Sequence, residues 1–117
     1  MIKLVFLLKR RAGMSFDDFK KYYETMHAVL GRKFLPTAVR YQRRFLQAYG
    51  APAGYKNPDD GYDCITEMWF TDRAALDAAM AGASTPDVAA ILAEDEEKLF
   101  DRNKIRFYLV EEECPAL

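Results

Sequence analysis

Residues 15–34 read SFDDFKKYYETMHAVLGRKF, the strongest helical pattern in the chain. At about 100° per residue, Phe16, Phe19, Tyr23, Met26, Leu30 and Phe34 form one apolar side. Asp17, Asp18, Lys21 and Glu24 fall on the polar side. Ser15 suits the N-cap, Asp18 three residues later imitates a capping box, and both aspartates favour the positive end of the helix dipole. Pro36 prevents continuation. The single histidine, His27, lies on the oily side, roughly 20° around the axis from Phe16 and roughly 40° from Tyr23. Burying an imidazole without a partner costs on the order of 1–3 kcal/mol, so the position requires a hydrogen-bonding partner or a ligand.

Strand patterns flank this helix. Residues 2–9 form a first strand, closed by the turn at 10–13, and residues 39–46 form the centre of a second. Residues 49–62, rich in glycine, proline and aspartate, make a long loop expected to act as a lid or to reach a partner subunit. Residues 63–71 give a third strand, with Cys64, Thr66, Met68 and Phe70 on one face and Ile65, Glu67 and Trp69 on the other. Asp72 caps an alanine-rich helix, Gly82 interrupts it, and Thr85, Pro86 and Asp87 restart it in N-cap, N1, N2 order. This second helical segment is expected to run to about Asp101. Residues 105–111 make the last strand.

The order β, α, β, β, α, β predicts a ferredoxin-like α+β sandwich, a four-stranded antiparallel sheet with helices on one face. One domain over residues 1–117 is expected, with no internal repeat. The outer face of such a sheet normally alternates toward polar residues. Here Val5, Leu7, Ile65, Trp69, Tyr108 and Val110 fall on the faces opposite the core-directed residues. A second copy of the sheet is the economical cover, which predicts a homodimer; a monomer with an oily face is the alternative.

The 117 residues include 17 basic and 18 acidic side chains, leaving a formal charge of −1. Phosphate-backbone attraction is therefore lacking, and no nucleic-acid partner is expected. The basic runs at 9–11 and at Arg40, Arg43 and Arg44 are read as solvated strand ends and edges, with an anionic ligand as the alternative. No run approaches about 18 consecutive apolar residues, so no membrane span is expected, and the N-terminal apolar run has the wrong order of charge for a signal peptide. Cys64 and Cys114 match neither metal-ligand spacing nor a disulfide framework, as reduced thiols in a cytoplasm would. Asp59, Asp60 and Asp63 form no calcium-loop spacing and one histidine makes a poor zinc set, so no metal is expected. No nucleotide fingerprint or activated serine arrangement is present either.

Several side chains can carry chemistry. A pocket imidazole can shuttle protons alone, while periodicity by itself favours a core histidine satisfied by a backbone carbonyl. Glu67 can orient that imidazole if its face looks into a pocket; otherwise it is solvated or paired with Arg40 or Arg44. Tyr23 and Tyr41 are candidate donors to a carbonyl or phenolate, Trp69 is a candidate wall, and each also serves as a core aromatic. The acidic run at 94–97 reads as a solvated face, with Asp95 a minor candidate.

The ordered set of Phe19, Tyr22, Tyr23 and His27, then Tyr41, then Glu67, Trp69 and Phe70, then Glu94, Asp95 and Phe100 resembles the EthD family of small dimeric α/β-barrel proteins. The resemblance spans nearly the whole chain and implies fold and pocket more firmly than reaction. Members include a protein associated with ethyl tert-butyl ether degradation, methylmuconolactone isomerases and tailoring enzymes of aromatic polyketides. It implies a cofactor-independent isomerase, lyase or dehydratase acting on a small hydrophobic aromatic, lactone or polyketide-like compound. His27, Glu67 and Tyr41 would be catalytic, and Tyr23, Trp69, Phe19 and Phe70 would bind substrate. Alternatives are a cofactor-free oxidoreductase or monooxygenase and a non-catalytic or haem-binding small-molecule carrier. Some relatives carry a second histidine beside the first; Met26 and Ala28 stand there, which removes a two-histidine mechanism.

Overall fold

The computed structural model describes residues 1–51, 53–55 and 61–110. Four strands, β1 (Ile2–Leu8), β2 (Arg40–Phe45), β3 (Cys64–Phe70) and β4 (Arg106–Val110), form one antiparallel sheet in the order β2-β3-β1-β4. Helices pack on one face, giving the α+β ferredoxin-like arrangement that the element order predicts. Register sets the faces. Leu4 pairs with Met68 and Leu109, Phe6 with Thr66 and Phe107, and Leu8 with Cys64, so these side chains turn together toward the helices. Tyr41, Arg43 and Phe45 of β2 join them opposite Met68, Thr66 and Cys64. Cys114 and the rest of the tail, Asp59, Asp60 and the middle of the long loop lie outside the described residues.

The first helical segment departs from its expected phase. It runs as α1 (Phe16–Tyr22), a π-turn (Tyr23–His27) and α2 (Ala28–Phe34). Ser15 caps it as expected, its hydroxyl accepting from the Asp18 amide at 3.1 Å. In the π-turn the Ala28 amide donates to the Tyr23 carbonyl, an i→i+5 bond that inserts one extra residue into the turn. Side chains beyond it rotate back by about one α-helical step, roughly 100°. Phe19 and Tyr23 are buried, and beyond the turn His27, Ala28, Gly31 and Leu35 face inward, while Met26 is 53% exposed and Leu30 and Phe34 are partly buried. The inward stripe expected through Met26, Leu30 and Phe34 is thus corrected, because the expectation assumed uniform α geometry.

Two apolar clusters fill the space between the layers. One gathers Leu8, Phe19, Tyr23, Ala28, Cys64, Leu99 and Phe100; the other gathers Leu4, Leu35, Met68, Phe70, Leu76 and Ala79. Phe19 has no exposed surface and meets Tyr23, Phe45 and Phe100 edge to face at centroid distances of 6.1, 6.1 and 5.9 Å. The second layer continues with α3 (Arg73–Ala83), capped by the Asp72 carboxylate accepting from the Ala75 amide at 2.8 Å, and α4 (Pro86–Glu96), opened by Pro86. α4 ends before the expected Asp101; Phe100 instead bridges to Arg10, and a short 3-10 turn (Arg102–Lys104) leads into β4.

The π-turn carries a direct test. Deleting Thr25 leaves Ala28, Gly31 and Leu35 following Tyr23 at the i+4, i+7 and i+11 spacing of a continuous α-helix. The deletion variant is expected to fold with a stability loss of no more than about 1 kcal/mol, a fall in Tm of roughly 4–8 °C. Thermal melting by circular dichroism checks this, and loss of the folded signal would show that the extra residue does not set the register.

Candidate functional site

A cavity of about 380 Å³ lies between the helix-facing side of the sheet and the helical layer. Phe6, Leu8, Leu35, Met68, Leu92 and Phe100 make most of its wall apolar, and the exposed residues Ser84, Arg102 and Phe107 stand at its mouth. Tyr23, His27 and Tyr41 bring polar groups into it.

His27 enters from the end of the π-turn. Its Nδ1 lies 2.8 Å from Oδ2 of Asp95, in the last turn of α4, and both side chains are nearly buried. The other carboxylate oxygen of Asp95, Oδ1, accepts from the Tyr22 hydroxyl at 2.5 Å. Phe100 and Tyr23 hold the imidazole ring edge to face at 5.2 and 5.5 Å. Asp95 can only accept when ionised, so Nδ1 carries the proton and Nε2 is the basic nitrogen. Nε2 has no partner among the described residues, and the ring borders the cavity.

A second polar chain faces it. The Tyr41 hydroxyl donates to Tyr23 Oη at 3.2 Å, and Tyr23 Oη shares a 2.6 Å hydrogen bond with Thr66 Oγ1. Burial pushes the Tyr23 phenol well above its ordinary value, with Tyr41 adding to the effect. Burial raises Tyr41 too, against the opposing hydrogen bond to Tyr23 and the charge of Arg43. Both remain neutral donors near pH 7. The Arg43 guanidinium lies over the Tyr41 ring at 4.6 Å and the Tyr23 ring at 5.9 Å, and grips Glu24 with two bonds of 2.5 and 3.0 Å. That bidentate bond holds the Glu24 carboxyl below the usual carboxylate range. Gly31 gives Tyr41 room, since a Cβ there would come within 2.9 Å of the Tyr41 ring.

Residues 11–103 match the EthD domain. The chain belongs to the EthD family. No curated protein sequence is significantly similar to it. Among solved structures, an EthD-family protein from Bacillus halodurans is 23% identical, with a TM-score of 0.65, over 97% of this chain and 99% of its own. A protein of unknown function from Bacteroides fragilis, described as dimeric with a ferredoxin-like fold, aligns at 12% identity and TM-score 0.53 over 94% of each chain. SnoaB from Streptomyces nogalater, described as a cofactor-independent oxygenase, aligns at 15% identity and TM-score 0.56 over 97% of this chain and 94% of its own.

In this EthD-family chain the expected site residues divide by face. His27, Tyr23 and Tyr41 converge on the cavity, whereas Phe19 and Phe70 are core packing and do not line it. Glu67 and Trp69 point from the opposite face of the sheet, because the alternation that sends Thr66, Met68 and Phe70 inward sends them outward. The expectation of Glu67 beside the imidazole and of Trp69 as a cavity wall is therefore corrected. Burial opposes ionisation of Glu67, but the hydrogen bond from Arg44 at 3.3 Å and the charge of Lys3 outweigh it and hold its carboxyl low. Lys3 and Arg40 lie over the Trp69 ring at 4.7 and 5.9 Å. Arg43, read as a solvated edge residue, instead turns inward to Glu24 and the tyrosines.

The orienting carboxylate is Asp95, which the acidic run disguised as solvent-facing. Its signal was positional: a carboxylate in the last turn of a helix opposes the macrodipole and needs compensation elsewhere. Among the described residues no three His, Cys, Asp or Glu side chains gather as a metal site, and no helix is long and apolar enough to cross a membrane.

The buried acids predict alkaline behaviour. Burial, with the bond to Asp95, pushes Tyr22 up to about 12 from 10.0, and burial pushes the Cys64 thiol up to about 11 from 9.0. Tyr23 and Tyr41 move the same way. Each group holds its proton more tightly folded than unfolded, so its contribution is complete below the unfolded value and is lost as pH rises through the folded one. Stability measured by urea unfolding is expected to fall progressively between about pH 9 and pH 12; a flat profile there would contradict the buried phenol and thiol placements.

Proposed function

We propose that this EthD-family chain is a cofactor-independent acid/base enzyme acting on a small hydrophobic aromatic, lactone or polyketide-like compound. The observation that carries the reading is the 2.8 Å bond between His27 Nδ1 and Asp95, which leaves Nε2 on an apolar cavity. Nε2 takes a proton from an acidic carbon of the substrate, and the electron pair moves onto the adjoining carbonyl as an enolate. Tyr41 turns its single O–H from Tyr23 to that oxygen, Tyr23 then donating to Tyr41 Oη and Thr66 Oγ1 to Tyr23, while Asp95 stabilises the imidazolium. Returning the proton to a different carbon completes an isomerisation; giving it to a departing oxygen completes an elimination.

A positioned base contributes roughly 10²–10⁴-fold. In deuterium oxide, a panel of aryl ketones, anthrones and unsaturated lactones is expected to include compounds whose acidic C–H exchanges at least about 100-fold faster with wild type than with His27→Ala. Nuclear magnetic resonance reads the exchange, and circular dichroism checks the variant's fold. Equal exchange by a folded His27→Ala protein would remove the assignment. A second reading is favoured by the structural likeness to SnoaB: the same deprotonated substrate reacts with dioxygen, which oxygen uptake would reveal. Haem binding would use the same Nε2, and a Soret absorption band in the purified protein would replace the acid/base reading.

The proposal includes a cytoplasmic homodimer through the outer sheet face, where Val5, Leu7, Ile65 and Trp69 are partly buried and Tyr108 is 52% exposed. The dimeric description of the Bacteroides fragilis relative supports it. Light scattering is expected to give twice the chain mass for wild type and to show dissociation at least about tenfold easier for Tyr108→Glu, the effect of about 1.4 kcal/mol. A monomeric wild type would end this part of the proposal.

A further inference from the structure

We propose that Tyr22 is a positioning residue that sets the basicity of His27 from outside the cavity, by sharing the Asp95 carboxylate with it. Tyr22 does not line the cavity, yet its hydroxyl and the imidazole bind the two oxygens of one carboxylate, at 2.5 and 2.8 Å. Its consequence for turnover rests on the acid/base reading above; its effect on the imidazole does not.

Asp95 depends on these two donors. It is 6% exposed, and among the described residues no lysine or arginine pairs with it. Its surroundings on α4 are unfavourable to an anion. Glu94, Glu96 and Glu97 adjoin it in sequence, and the C-terminal end of the helix carries negative partial charge. Arg102, a cation lining the cavity, is engaged by Glu96 and Glu97. Among the sheet residues that line the cavity Tyr41 alone is polar, the neutral phenol of Tyr23 lies beside the imidazole within the π-turn, and Arg43 over both tyrosine rings is held by Glu24. Charge drawn toward the Tyr22 O–H is therefore withdrawn from the imidazole N–H, with no third partner to make up the difference.

The backbone arranges this sharing. Residues five apart in an α-helix lie about 140° apart around the axis, too far to meet one carboxylate. The i→i+5 turn over Tyr23–His27 brings His27 back toward the side occupied by Tyr22.

One histidine in the chain makes the test direct, because its imidazole proton resonances need no assignment by mutation. Nuclear magnetic resonance titration of wild type, Tyr22→Phe and Asp95→Asn gives the imidazole midpoint in each. Tyr22→Phe leaves the whole carboxylate charge to His27 and is expected to raise the midpoint by about half to one pH unit; Asp95→Asn is expected to lower it by at least as much. A 3-fluorotyrosine placed at position 22, a stronger donor of nearly the same shape, is expected to lower it and serves equally if the phenylalanine variant fails to fold. With a turned-over substrate, the acidic limb of kcat/KM should move in the same directions. An unchanged midpoint in Tyr22→Phe or in the fluorotyrosine protein overturns the proposal, whereas shifted midpoints without any proton exchange in the substrate panel overturn only the enzymatic reading.

Discussion

The hydrogen bond from the Ala28 amide to the Tyr23 carbonyl, one residue longer than the α-helical step, governs what the first helix presents to the rest of the molecule. Ahead of it Phe19 and Tyr23 seal the aromatic cluster against Phe45 and Phe100. Beyond it the small residues Ala28 and Gly31 face inward where Leu30 and Phe34 would otherwise have pointed. That exchange of large side chains for small ones is what leaves space beside His27. A cavity next to a titratable group thus results from a local change in helix geometry, with Leu30 and Phe34 left partly buried and Met26 exposed.

Two proton-bearing groups of different character border this space. On the helical side the carboxylate of Asp95 supports an imidazole whose second nitrogen is unpartnered. Toward the sheet, Tyr41, Tyr23 and Thr66 pass hydrogen bonds along a line that begins at the cavity and ends in the strand interior. Burying such groups singly costs about 1–3 kcal/mol each, and their mutual bonding removes most of that cost. The polar network and the apolar wall are mutually dependent: aromatic rings on either side hold the imidazole in its bond, and the bonds allow polar atoms to sit among the rings.

Charge is divided between the faces of the sheet. Glu67, Lys3, Arg40 and Arg44 occupy the outer face, and their attraction is satisfied there without reaching the cavity. Among the described strand residues only Arg43 brings a cation to the inner face, where Glu24 neutralises it and the tyrosine rings receive its guanidinium. An imidazole base facing an apolar cavity benefits from this separation, because a nearby fixed cation would depress its proton affinity.

Element order, caps and strand alternation were legible in the residues because each depends on neighbours a few positions away: Ser15 and Asp72 cap as expected, and period-two patterns place Cys64, Thr66, Met68 and Phe70 together. His27 stood out for the same reason, as a polar residue within an apolar period. The phase of the helix beyond Tyr23 was not legible, since Met26, Leu30 and Phe34 continue the apolar α-helical period without a break, and the choice of Ala28, Gly31 and Leu35 as the inward set depends on packing against the sheet and the other helices. Nor was the choice of Asp95 over Glu67 as the partner of His27. Either carboxylate suits imidazole chemically, and only the packing of α4 across the first helix, with β3 sending Glu67 to the far side, determines which lies within bonding distance. Local sequence specified which chemical groups the protein has and which elements hold them, while long-range packing specified which of them meet.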